Sequence, residues 1–232
     1  QDIYEKLIFE DIQNACDILR PVYEESDRLD GYVSIELPPA MARDTDASIK
    51  EAQRYFDAVN RDNVLIKIPG TQEGIPAVRQ AIAAGINVNI TLLFSVERYE
   101  QAAWAYIEGL EERVEKGEPI DHIASVASFF LSRINVKVDQ YLDERLKTIG
   151  TEHLSEEARL QELKGKVAIA NAKVAYQNFQ EILSSDRWRA LAAKGARVQR
   201  VLWASTSTKN PDYSDVMYVD ALIGPHTINT LP

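Results

Sequence analysis

A single lysine interrupts an otherwise apolar, β-branched run of the sequence. Lys67 lies in VLIKIP, residues 64–69, which predicts a strand buried on both faces. Removing an ammonium from water is costly, so a buried lysine gains a partner or loses its proton, and a neutral amine is a nucleophile toward carbonyl carbon. Lys67 is therefore our candidate for Schiff-base chemistry. The alternative is a strand-end lysine whose long side chain reaches solvent.

Hydrogen-bonding side chains near the carboxyl ends of the predicted strands could surround this lysine. They are Glu36, Asn89, Thr91 and Ser128. Because side chains alternate across a strand, Asn87, Asn89 and Thr91 share one face, and we expect one polar cluster. An amine in such a cluster could attack a ketone, lose water and form an iminium that accepts electrons during carbon–carbon cleavage. This is the chemistry of a class I aldolase.

Short apolar runs alternate with longer stretches of helical period, which is typical of an α/β fold with parallel strands. Six strands are predicted, over residues 31–37, 64–68, 86–94, 123–130, 198–204 and 227–230. Helices are predicted over residues 3–23, 45–60, 73–84, 96–117, 133–146, 155–183 and 186–194. The polar segment 147–164 is expected to be an exposed connection that runs into the long helix. Helices are expected to end at Gly85, Gly117, Gly150 and Gly195.

A parallel sheet of this kind is either open and doubly wound or closed into a barrel. Polar residues near the strand ends favour the (β/α)8 TIM barrel, which places its chemistry there. A nucleotide-binding doubly wound sheet has little support, because no glycine-rich phosphate loop follows a predicted strand. Since a barrel needs eight strands, we expect residues 1–232 to be one domain truncated at both ends, without the first two strands and the last helix.

Composition excludes several classes of protein. A formal charge of −10 argues against nucleic acid or an anionic membrane as a partner. Without an apolar run of membrane-spanning length or a signal peptide, we expect a cytoplasmic protein. The single cysteine, Cys16, fits a reducing compartment, and its helical setting predicts packing. The three histidines lack the spacing of metal ligands.

Five segments of this chain resemble the transaldolase family. They are GYVSIE (31–36), IKIPGT (66–71), GINVNITLLFS (85–95), SVASFF (125–130) and LWASTSTKNP (202–211). The resemblance runs nearly end to end. It implies that Lys67 forms the Schiff base with a sugar phosphate, that Glu36 and Thr91 hold the water that shuttles protons, and that Asn89 binds the hydroxyls of the dihydroxyacetone unit.

The resemblance also implies the phosphate ligands, the reaction and the cofactor requirement. Ser128 and Arg133 would bind the substrate phosphate, and Lys209 would be a third ligand on the basis of its position. A dihydroxyacetone unit would pass from fructose 6-phosphate or sedoheptulose 7-phosphate to erythrose 4-phosphate or glyceraldehyde 3-phosphate, in the non-oxidative pentose phosphate pathway. No metal or organic cofactor is implied, because the lysine itself forms the electron sink. A homodimer is compatible with the sequence.

Each of these residues also has a structural alternative. Glu36 could pair with a surface lysine, Asn89 and Thr91 could satisfy backbone groups, and Arg133 could form an ion pair at a helix start. Three other functions stay open: an aldolase that uses free dihydroxyacetone, a transaldolase fused to glucose-6-phosphate isomerase, and a non-catalytic fragment that binds sugar phosphates.

We expect the 232-residue chain alone to be nearly inactive. The resemblance implies an aspartate on the first barrel strand that takes the proton of the C4 hydroxyl during cleavage. Asp11 and Asp17 lie on a predicted helix and cannot take that role. A coupled assay for glyceraldehyde 3-phosphate release measures this, and full turnover by the 232-residue chain would contradict the expectation.

Overall fold

The described part of the chain contains six strands and nine α-helices in alternation. The computed structural model describes residues 2–149 and 153–231, without the side chain of Asp2. The strands are β1 (Val33–Glu36), β2 (Val64–Pro69), β3 (Val88–Leu93), β4 (Ser125–Phe130), β5 (Arg200–Ala204) and β6 (Thr227–Asn229). The helices are α1 (Asp2–Glu25), α2 (Thr45–Val59), α3 (Gly74–Ala83), α4 (Val96–Glu115), α5 (Ser132–Thr148), α6 (Leu154–Leu163), α7 (Val167–Leu183), α8 (Asp186–Ala192) and α9 (Met217–Leu222).

The six strands form one parallel sheet whose spatial order is the order of the sequence, β1-β2-β3-β4-β5-β6. Each strand pairs in parallel with the next one along the chain. A doubly wound sheet reverses its strand order at a switch point, whereas a barrel winds in one direction only. The fold is therefore an incomplete (β/α)8 TIM barrel, as the sequence predicts. All six predicted strands are confirmed, with ends that differ by at most two residues.

The two faces of the sheet differ because strand side chains alternate. The outer face packs under the helices in a large apolar core that includes Ile66, Ile90 and Trp203. The inner face carries a small separate apolar cluster, in which Leu65 and Val126 are buried. The residues that follow these on the inner face toward the carboxyl ends of β2 and β4 are Lys67 and Ser128. The inner face is therefore apolar low in the barrel and polar at its carboxyl end.

Local signals in the sequence define several helix ends. Side chains of Asp44, Ser95 and Ser185 accept hydrogen bonds from backbone N–H groups in the first turns of α2, α4 and α8. Three of the predicted terminating glycines have φ values of +89° (Gly85), +72° (Gly117) and +91° (Gly195), which confirms them as helix ends. Gly150 lies outside the described residues.

The prediction of one long helix over residues 155–183 is wrong. Two helices, α6 and α7, cover this region. The break lies at Gly165, whose φ is +73° and whose N–H donates to Asp139 Oδ1 over 3.0 Å. A Cβ atom there would lie 3.0 Å from the Tyr213 ring. The predicted connection 147–164 therefore contains helix α6, and helix α9 was not predicted at all.

The cysteine and the two helical tyrosines predicted to pack in the apolar core are buried there. Cys16 is fully buried, and burial raises the pKa of its thiol to about 11. Tyr99 and Tyr106 are also buried. His153 and His226 lie at the surface, and His122 is partly exposed. Within residues 2–149 and 153–231, no helix has the length and apolar character needed to cross a membrane.

Replacing Gly109 with alanine should destabilise the fold. A Cβ atom at Gly109 in α4 would lie 2.7 Å from both the Arg79 carbonyl oxygen and Ile82 Cβ in α3. Because these atoms are a backbone oxygen and a Cβ, we expect an overpacking cost in the upper part of the usual range, about 2–3 kcal/mol. Less the gain in helix propensity of roughly 1 kcal/mol, the free energy of unfolding should fall by about 1–2 kcal/mol. Urea denaturation measures it.

The matched control is Gln101→Ala, at an exposed position of the same helix. That variant should change the free energy of unfolding by less than about 0.5 kcal/mol. Equal stability of Gly109→Ala and the unsubstituted chain would contradict the close packing of α3 against α4.

Candidate active site

Three of the predicted site residues lie side by side across β1, β2 and β3. Glu36 is paired in register with Lys67, and Lys67 is paired with Asn89. All three occupy inward-facing positions of their strands, so their side chains project from the inner face of the sheet. This level is the carboxyl-terminal part of the barrel, where enzymes of this fold place their reactive groups.

Lys67 is less buried than the sequence predicts. Its strand neighbours are buried, but 27 % of its own side chain is exposed, and Nζ lies 3.4 Å from Glu36 Oε2. The Glu36 side chain is 53 % exposed, so water screens this ion pair and it adds little to folding stability. An amine and a carboxylate therefore share one solvent-accessible space on the inner face.

Asn89 is held between two hydroxyl groups from different strands. Its Nδ2 donates to Ser34 Oγ over 3.0 Å, and its Oδ1 accepts from Ser128 Oγ over 2.7 Å. Asn89 and Ser128 are buried, whereas Ser34 is exposed on the inner face of β1. These two bonds fix the plane of the amide beside Lys67. Ser34 was missed from the sequence, although it lies two residues before Glu36 and therefore on the same strand face.

Thr91 is completely buried, and in the described structure its hydroxyl has no hydrogen-bond partner. A buried hydroxyl without a partner is costly, and such a group in a cleft often serves a bound water or ligand. Thr91 lies two residues beyond Asn89 on β3 and pairs in register with Pro69, two residues beyond Lys67. Its position fits the predicted role of holding a water near the lysine.

Arg133 lies at the start of α5, directly after β4. Its side chain is exposed, and its guanidinium carbon lies 5.2 Å from the centroid of the Phe130 ring. The neighbouring N–H groups of Leu131 and Ser132 donate to carbonyl oxygens at the end of β5 and directly after it, so these two groups are not available to an anion. Arg133 thus supplies a positive charge near the end of the strand that carries Ser128.

Two further residues were predicted to belong to the site, Lys209 as a phosphate ligand and Asn87 as part of the polar cluster. Lys209 lines a separate cavity of about 340 Å³ between α5 and the segment after β5, together with Asp139 and Asp143. Asn87 joins the amino ends of neighbouring strands, because its Nδ2 donates to the carbonyl oxygen of Asp62 and its Oδ1 accepts from the N–H of Ala124. The predicted single polar cluster therefore does not include Asn87.

The comparisons with known proteins agree with this arrangement. The sequence model of the family described as Transaldolase/Fructose-6-phosphate aldolase matches residues 1–232. The chain belongs to this family. It is 64 % identical over 231 residues to the transaldolase of Trichodesmium erythraeum, and the match covers 100 % of this chain and 60 % of that protein.

Other relatives named transaldolase match nearly the whole chain as well. Transaldolase 2 of Nostoc sp. is 65 % identical over 230 residues, which are 99 % of this chain and 60 % of the relative. The transaldolase of Mycobacterium tuberculosis is 46 % identical over 224 residues, or 96 % of this chain and 57 % of the relative. The chain therefore spans about 60 % of the length of these relatives. The predicted resemblance to transaldolase is confirmed.

The hydrogen bond between Ser128 and Asn89 should contribute measurably to stability. Ser128→Ala leaves Asn89 Oδ1 buried without that donor, so we expect a loss of about 1–3 kcal/mol in the free energy of unfolding. In an Asn89→Ala background the same substitution should cost at least about 0.5 kcal/mol less. Urea denaturation of the four chains of this double-mutant cycle measures the coupling.

The control is Ser34→Ala, which removes the other partner of Asn89 from an exposed position. Water can replace Ser34, so this variant should cost less than Ser128→Ala. Equal costs of Ser128→Ala in both backgrounds would mean that Asn89 and Ser128 are not coupled.

Proposed function

We propose that this chain carries the Schiff-base site of a transaldolase. The protein would transfer a dihydroxyacetone unit from fructose 6-phosphate or sedoheptulose 7-phosphate to erythrose 4-phosphate or glyceraldehyde 3-phosphate. The observation that carries the proposal is the Lys67 amine, which lies 3.4 Å from Glu36 and at the register level of Asn89 on the inner face of the barrel. Membership of the family supports it.

The first step is formation of an imine on Lys67. The neutral amine attacks the keto carbon of the sugar phosphate, and the carbonyl oxygen takes up a proton to give a carbinolamine. Loss of that oxygen as water requires a second proton, and leaves an iminium on Nζ. Glu36 exchanges these protons through a water held by the Thr91 hydroxyl. The buried, unpartnered Thr91 Oγ1 supports this assignment.

The second step breaks the carbon–carbon bond. A base takes the proton of the C4 hydroxyl, and C4 leaves as an aldehyde. The electron pair of the C3–C4 bond forms a C2=C3 double bond while the π pair of the iminium moves to nitrogen, which gives an enamine. Asn89, held by Ser34 and Ser128, binds hydroxyls of the three-carbon unit and retains it. The enamine then attacks the aldehyde of the acceptor, and water releases the product from Lys67.

The substrate phosphate would bind on the side of the site formed by β4 and α5. Arg133 supplies the charge at the start of α5, and Ser128 is buried five residues earlier, in β4. A charge-assisted contact of this kind also gives an acidic protein the local positive potential that an anionic substrate needs. Lys209 is the predicted third ligand, and it lines the cavity between α5 and the segment after β5.

An aldolase that uses free dihydroxyacetone is the second candidate, because the family description names both activities. The relatives reported above carry the name transaldolase, which favours the first candidate. Comparison of free dihydroxyacetone with fructose 6-phosphate as the donor separates the two. A transaldolase should prefer the sugar phosphate.

The remaining expectations concern the cellular location, the partners and the oligomeric state of the protein. We propose a cytoplasmic location and small sugar phosphates as partners, with no nucleic acid and no membrane. The net charge of −10 and the single, buried Cys16 support this proposal. A homodimer is compatible with it, and light scattering measures the oligomeric state.

Borohydride trapping tests the proposed function at Lys67. Dihydroxyacetone should form an imine without carbon–carbon cleavage, so reduction should add dihydroxyacetone less one oxygen atom to a single peptide. We expect that peptide to contain Lys67, and mass spectrometry of a digest locates it. Lys67→Arg should abolish the adduct, because a guanidinium stays protonated and is not a nucleophile.

Lys194→Arg is the matched control, since Lys194 is exposed on the outside of the barrel. It should leave the adduct unchanged. An adduct on another lysine that persists in Lys67→Arg would overturn the mechanism, as would the absence of any adduct.

A further inference from the structure

Strand β3 contains a β-bulge at the residues that follow Asn89. Ile90 pairs with Ala127 and Leu93 pairs with Phe129, and the register shifts between these two pairs. Thr91 and Leu92 therefore face a single residue of β4, Ser128. Bulges re-aim side chains and occur often beside active sites.

Leu92 has a backbone conformation that disfavours its side chain. Its φ is +60°, in the left-handed region. A bulky residue rarely adopts this conformation, and strain of this kind persists only where the surrounding structure imposes it. The Leu92 side chain is partly exposed, whereas Leu93 is fully buried. Side-chain packing of Leu92 therefore does not explain its strained backbone.

The bulge changes which residues of β3 face inward. In a regular strand Leu93 would share the face of Asn89 and Thr91. With one extra residue inserted, Thr91 stays buried at the inner polar level while Leu93 packs into the outer apolar core. Because of the bulge, the end of β3 contributes both a buried polar residue, Thr91, and a residue of the apolar core, Leu93.

Contacts from two other elements hold the bulge in place. The N–H of Gly70 donates to the Thr91 carbonyl oxygen over 2.7 Å, and a Cβ atom at Gly70 would lie 2.4 Å from Leu93 Cδ2. On the other side, Asn171 Nδ2 donates to the Phe94 carbonyl oxygen over 3.0 Å. Gly70 follows Lys67 by three residues, so the bulge is fixed to the strand that carries the lysine.

We propose that Leu92 is a positioning residue for imine formation. Its left-handed backbone, supported by Gly70, holds the Thr91 hydroxyl unpaired on the inner face, where it binds the water that carries protons between Glu36 and the substrate oxygen. The contribution of Leu92 is its backbone conformation and not its side chain. This role rests on the proposed function, since it acts through Thr91 on the reaction of Lys67.

The test compares substitutions at Leu92 that accept or reject a left-handed backbone. Glycine and asparagine adopt it readily, whereas β-branched valine does so poorly. The rate of borohydride trapping of dihydroxyacetone on Lys67 should stay within about 2-fold in Leu92→Gly and Leu92→Asn, and should fall at least about 10-fold in Leu92→Val. Thermal melting of each variant verifies that it is folded.

Whether the effects of Leu92→Val and Thr91→Val on the trapping rate add up separates a positioning role from a general loss of structure. Thr91→Val removes the hydroxyl and should slow trapping about as much as Leu92→Val does. If Leu92 acts through Thr91, the double variant should be no slower than Thr91→Val alone. Should Leu92→Val fail to fold, Leu92→Thr applies the same test with a β-branched polar side chain at this partly exposed position, again with Thr91→Val as its reference.

Two results would overturn this role alone. One is trapping at the unsubstituted rate in folded Leu92→Val, and the other is a double variant whose rate reduction is the product of the two single effects. Slow trapping in Leu92→Gly would mean that the side chain of Leu92 is needed, and not only its backbone conformation, which also contradicts the proposal. An unsubstituted chain that forms no adduct on Lys67 would instead overturn the proposed function itself, and the positioning role with it.

Discussion

Alternation of side chains along parallel strands determines where each candidate residue lies. Helices cover one face of the sheet, so every second strand residue packs into the apolar outer core. The intervening residues share the inner face, and successive strands bring Glu36, Lys67 and Asn89 to one level there. A slip of one residue in any strand would place its polar side chain among helices. The apolar outer core therefore fixes the register of the site.

Among the paired strands of the described residues, the register shifts at the bulge in β3, which interrupts this alternation. It adds a residue between Ile90 and Leu93, so Thr91 and Leu93 can occupy opposite faces. The structure accepts a strained Leu92, and the adjoining Leu93 side chain packs close to Gly70, where a Cβ atom would meet it. Local strain and an unpaired buried hydroxyl thus occur together beside the lysine, which is typical of a site shaped for binding or reaction.

Much of this fold could be predicted from the sequence because its strands are short apolar runs between amphipathic helices. The inner-face cluster around Lys67 followed from strand parity. The break at Gly165 could not, since it depends on Asp139 and Tyr213 from distant segments. Neither could the bulge at Leu92, because a leucine carries no local signal for a left-handed backbone. Lys209 was grouped with the site from its position in a motif, and the structure places it along a separate cavity.

The most direct test of the central claim is a crystal structure of the chain after dihydroxyacetone has been reduced onto it. The account predicts continuous density from Lys67 Nζ to the central carbon of the three-carbon unit, with its hydroxyls within hydrogen-bond distance of Asn89. A reduced unit on a different lysine, or one on Lys67 that points into solvent and leaves Asn89 bonded only to Ser34 and Ser128, would contradict it.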